Sequence, residues 1–74
     1  MENLFFVIRI SKRQDGTIVA PAENRATEQD ARALFYTRAG QAVASNNLID
    51  TVLLVTAGGF LMDKVAFEHP AENE

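Results

Sequence analysis

Apolar and polar positions divide the chain into two hairpin-like halves flanking one helical stretch. From Leu4 to Ile10 the residues read LFFVIRI, aromatic and β-branched side chains that suit a pleated strand. Alternation puts Leu4, Phe6, Ile8 and Ile10 on one face, all apolar. Phe5, Val7 and Arg9 fall on the other, which is mixed. Asp15-Gly16 then marks a return, because glycine reaches the positive φ that a tight turn requires. Thr17–Pro21 reads as a short second strand. Pro21 has no N–H for a ladder, which places this strand at a sheet edge. Ala22–Ala26 is read as a connector.

Thr27 begins a helix. Its hydroxyl can cap the first turn, and Glu28 and Asp30 favour the positive end of the helix dipole. At roughly 100° per residue, Ala31, Leu34, Phe35, Ala39, Ala42 and Val43 share one stripe, and the helix is expected to run to about Ser45. Asn46-Asn47 should end it, since asparagine tolerates the left-handed conformation. Leu48–Thr56 forms the third strand, where Val52–Val55 is apolar on both faces, the pattern of a strand covered on both sides. Phe60–His69 forms the fourth.

Gly58-Gly59 between these two strands raises the question of a phosphate cradle. A P-loop ends in Gly-Lys-Ser/Thr, and a dinucleotide site needs three spaced glycines before a helix. Neither pattern is present, so the glycines turn a hairpin. The expected fold is a single α+β domain over residues 1–69, with a polar tail at 70–74. Its elements run ββαββ, a four-stranded antiparallel sheet with one helix on one face. Strand orders 2-1-3-4 and 1-2-4-3 both satisfy the connections. Order 2-1-3-4 is expected, because it centres the most apolar strands and leaves Pro21 at an edge.

One helix covers only one face of such a sheet. The mixed face, with Phe5, Val7, Val52, Leu54, Phe60 and Met62, is expected to remain uncovered and to form an oligomer interface. Composition points the same way. Seventy-four residues build a thin core, and chains this small commonly add disulfides, a metal or a partner. Cysteine is absent and His69 is the one histidine, which leaves a partner, in the first place the chain itself.

Ten acidic and seven basic residues give a net charge of −3, against a nucleic-acid partner. No apolar run is long enough for a membrane span, and the opening segment reads as a strand and not a signal peptide. The expected compartment is the cytoplasm. No catalytic set is read, because Ser11, Ser45 and His69 make no plausible triad, and no cofactor or metal is implied. Arg9, Lys12 and Arg13, with Arg38 on the helix, make the only local basic cluster. They are the candidate contacts for an acidic protein surface or a small anionic, phosphorylated ligand.

Asp15-Gly16-Thr17, DARALFY at 30–36, Val43-Ala44-Ser45, VLLVTAGGF at 52–60 and Phe67-Glu68-His69 occur in an order that resembles small uncharacterised proteins of phages and prophages of gut Firmicutes. The resemblance covers residues 4 to 69 and departs at the second turn, where Ala57-Gly58 replaces a more polar pair. It implies an origin in phage infection or a prophage, and it transfers no activity to any residue. The expected function is that of a small, non-enzymatic, homo-oligomeric accessory protein that binds a host component to inhibit or sequester it. The alternative is a phage structural or assembly accessory.

Overall fold

The computed structural model of the protein describes residues 4–71; residues 1–3 and the last three of the expected tail, 72–74, lie outside them. Its elements are β1 (Phe5–Lys12), β2 (Ile18–Val19), β3 (Ala22–Arg25), α1 (Glu28–Val43), β4 (Ile49–Thr56) and β5 (Leu61–Glu68). All strand pairs are antiparallel, in the order β2-β1-β4-β5 with β3 also on β1. This is the expected 2-1-3-4 arrangement with its second strand in two pieces. Lys12 and Ser11 pair with Ile18 and Val19, and Ile8 to Phe5 pair with Ala22 to Arg25.

The expected connector is therefore mostly strand. Ala-Glu-Asn-Arg has little β-propensity of its own, and pairing with β1 decides its conformation. Pro21 stands at the break between β2 and β3, on the edge that its missing N–H demands. Its carbonyl still accepts the Arg9 backbone N–H at 3.1 Å.

Both hairpins close with the same loop. Gly16 N–H donates to the Arg13 carbonyl and Arg13 N–H to the Thr17 carbonyl; Gly59 and Thr56 repeat this with Phe60. The fourth position is glycine at φ +90° and +92°, a left-handed conformation that a Cβ would strain. Gly58 has no such constraint, and a Cβ there would meet the Phe60 ring at an ordinary 3.6 Å. Gly59→Ala is expected to lower the unfolding free energy by about 1–2 kcal/mol, and Gly58→Ala to leave it nearly unchanged. Urea titration of the two variants checks the contrast.

The helix starts as the sequence predicts. Thr27 Oγ1 accepts the Asp30 N–H at 3.2 Å, and Arg32 pairs with Glu28 one turn back at 2.8 Å. It ends at Val43, before Ser45, and Val43 is 55% exposed instead of buried. The left-handed asparagine stop does not occur, since no non-glycine residue has a positive φ among the described residues. Side chains from elsewhere in the chain hold the helix end. A ring nitrogen of His69 meets the Ala42 carbonyl at 3.2 Å, and Ser45 bonds to Asp50.

The helix lies on the mixed face of β1. Val7 is 2% exposed, and Val52 and Leu54 are fully buried beneath Ala31, Leu34, Phe35 and Ala42. The sequence reading puts Phe5, Val7, Val52, Leu54 and Met62 on the uncovered face; the structure puts Val7, Val52 and Leu54 inside the core and packs Phe5 and Met62 against it. Phe60, the remaining residue of that set, sits on the second turn and is 75% exposed.

The physical reason is pairing. Antiparallel register sets Ser11 opposite Asp50, with Arg9 one step away on the same face. The mixed face thus carries a matched set of polar partners, which the helix end completes. A bulge in β5 helps to fill the same side. Leu54 pairs with Asp63 but Val55 with Leu61, so Met62 is extra. Met62 packs against the core while Asp63 meets Arg32 at 3.5 Å.

Candidate functional site

Two surfaces could engage a partner: a polar groove on the helix side and the bare face of the sheet. The groove runs along the seam between α1 and the β2/β3 edge. It consists of two adjoining open hollows of about 280 and 230 Å³ that share Arg9 and Pro21. Glu23, Arg38 and Gln41 line the first, and Ser11, Arg13 and Asn47 help to line the second. Three of the four basic candidates, Arg9, Arg13 and Arg38, therefore follow one groove. Lys12 alternates to the opposite face of the sheet, beside Ile49.

Two of the groove arginines, Arg9 and Arg38, already have anionic partners. Arg38 meets Glu23 at 2.6 Å and donates to Gln41 at 3.1 Å, while Arg9 donates to Asp50 at 3.2 Å. An incoming anion would have to displace a carboxylate from either one. Arg13 is exposed on the hairpin, where its backbone serves the loop.

Behind the groove lies a cluster that the sequence reading does not assemble. Asp50 is fully buried, and its carboxylate accepts from Ser11 and Ser45 hydroxyls, from Asn47 Nδ2 at 3.2 Å and from Arg9. Burial alone would raise its carboxyl group; these four donors outweigh that and hold it below the ordinary carboxylate range. The network ties β1, β4 and the segment after α1 together. Both carboxylate oxygens are engaged, so Asp50 serves as an internal clamp. An aspartate inside IDTVLLV, at a period-2 position shared with Val52 and Leu54, is the signal that could have revealed it.

The bare face is the Phe6, Ile8 and Ile10 side of β1 extended across the sheet. Register aligns Phe6 with Val55 and Leu61, Ile8 with Leu53 and Lys64, Ile10 with Thr51 and Ala66, and Lys12 with Ile49 and Glu68. Phe6, Ile8, Leu53 and Val55 are shielded only by their neighbours in the sheet and are half-buried. Ile10, Ile49 and Leu61 are exposed at 37%, 40% and 55%. No element of the described chain covers them. Charges stand at one end and along the β5 edge, which gives an apolar centre with a partly polar rim.

Among the described residues, no group of three or more His, Cys, Asp or Glu is arranged to hold a metal, and no helix is long and apolar enough to cross a membrane. No protein-family model, curated protein or solved structure matches the chain.

Proposed function

We propose that the protein is a small non-enzymatic binding module that works through the bare face of its sheet. One observation carries this reading: the helix covers the face that holds Val7, Val52, Leu54 and the Asp50 network, and no element of the described residues covers Phe6, Ile8, Ile10, Leu53, Val55 and Leu61 on the other. Leaving this apolar surface in water forgoes the main favourable term in folding, which a partner would recover. An exposed apolar patch of this extent marks an interaction surface. Asp50, Arg9 and Arg38 are already paired within the fold, which leaves them less open to an incoming ligand.

The resemblance to small phage and prophage proteins supplies a setting. In it, the module would act as a homo-oligomeric accessory and hold a host component. The test is affinity purification of the tagged chain from its producing cells, beside a variant carrying both Ile8→Lys and Leu53→Lys. The parent is expected to retain a stoichiometric companion, either another copy or a different chain, and the variant to lose it while keeping the parent's circular dichroism spectrum. A companion that stays bound to the variant would place recognition on another surface.

A further inference from the structure

We infer that the occupant of the bare face is a second copy of this chain, stacked face to face with antiparallel strands about a two-fold axis beside Ala66. The inference rests on the binding reading above and adds the identity of the partner.

Charge supports it first. Along β5 the bare face presents Lys64, Ala66 and Glu68 at alternate positions. At about 3.3 Å per residue, the two charges stand ~13 Å apart with Ala66 midway. A two-fold axis lying between the sheets and crossing the strands lays β5 over its own copy in the opposite direction. Centred on Ala66, it brings each Lys64 against the other copy's Glu68, forming the same pair twice. Centred on Lys64 or Glu68, it would oppose like charges.

Shape supports it second. The row on the axis is Ile10, Thr51 and Ala66, and two of these three side chains are short, so the sheets can approach to the ~10 Å of packed β-layers. On the same axis Leu53 meets the other copy's Ile49, and the Lys12 stem lies along Ile8 with its ammonium group outward.

Sedimentation equilibrium from micromolar to millimolar protein tests the proposal. The expected species has twice the 8.2 kDa chain mass. Leu53→Asp should raise the dissociation constant at least ~100-fold, since it buries an unpaired charge at the interface. Lys64→Glu and Glu68→Lys should each raise it about 10-fold, and the double exchange should restore it to within about 3-fold. The two charge variants sit on exposed positions, so they remain informative even where Leu53→Asp disturbs folding. Carbodiimide treatment of mixed light and heavy-nitrogen protein should join Lys64 of one chain to Glu68 of another.

A mass of one chain at every concentration overturns the inference. So does a double exchange that fails to rescue. A dimer untouched by a folded Leu53→Asp also overturns it, because β5 edge pairing can form the same charge pairs without using the face. A monomeric parent that binds a different chain through Leu53 overturns self-pairing while upholding the binding reading.

Discussion

Replacing Asp50 with alanine is expected to remove about 3–5 kcal/mol of unfolding free energy, as loss of one member of a buried ion pair commonly does. The variant leaves the buried Ser11 hydroxyl without its acceptor, and Arg9, Ser45 and Asn47 lose theirs at half-buried positions. A domain of this size has a total stability of about 4–11 kcal/mol, so the change unfolds much of the population near the lower end. Asp50→Asn keeps the shape and an acceptor oxygen and should cost less. Guanidinium titrations of the three proteins at one fixed concentration give the ranking. Equal stability of parent and Asp50→Ala would show that the network contributes nothing.

The same carboxylate gives the fold a pH dependence of definite sign. Its folded-state pKa lies below the unfolded value of about 3.9, so its stabilising contribution is complete at neutral pH. It is lost as pH falls below about 4 towards the folded-state value. The parent should therefore lose stability over that acid range more steeply than Asp50→Asn, which has no proton to gain there. Parallel slopes for the two proteins would assign acid sensitivity to other carboxylates.

Phe35→Ala is the second substitution expected to have a large effect, at about 3–5 kcal/mol. Phe35 is fully buried where the helix meets the sheet, and Tyr36 stands edge-on to its ring at 5.4 Å between centroids. The core is thin: Val7, Val52 and Leu54 supply the sheet side, and Ala31, Leu34 and Ala42 the rest of the helix side. Truncation leaves a cavity that these short side chains cannot collapse to fill. Differential scanning calorimetry at matched concentration should show a lowered midpoint, whereas Tyr36→Ala, at a 61% exposed position, should shift it much less. A Phe35→Ala loss no larger than the Tyr36→Ala loss would show that the core lies elsewhere.

Both expectations depend on which face of the sheet lies inside, and that was the least legible feature of the chain. Alternation in LFFVIRI separates the two faces but cannot rank them when each carries large apolar groups. Ranking by hydrophobicity selects Phe6, Ile8 and Ile10 for the interior, and the structure selects Phe5, Val7, Arg9 and Ser11. The deciding information lies in residues 39 positions apart, Ser11 and Asp50, and in a helix end that supplies Ser45. The candidate contacts were affected likewise. Arg9 and Lys12 are near neighbours in sequence, yet the pleat sends them to opposite faces, while Arg38 joins Arg9 only through the crossing of the helix over β1.

What the sequence by itself determined was local. The Thr27 cap, the glycines that turn both hairpins and the edge placement of Pro21 all follow from the conformations that single residues allow. So does the strand order, once the connections and the most apolar strands are considered together. Tertiary structure decided what depends on distant partners: β3 arising from a stretch with little strand propensity, the bulge that turns Met62 inward and the helix end held by His69 and Ser45. It also decided the face that stays bare. A buried polar network stabilises the fold only when every member is in place, and that condition exists only in three dimensions.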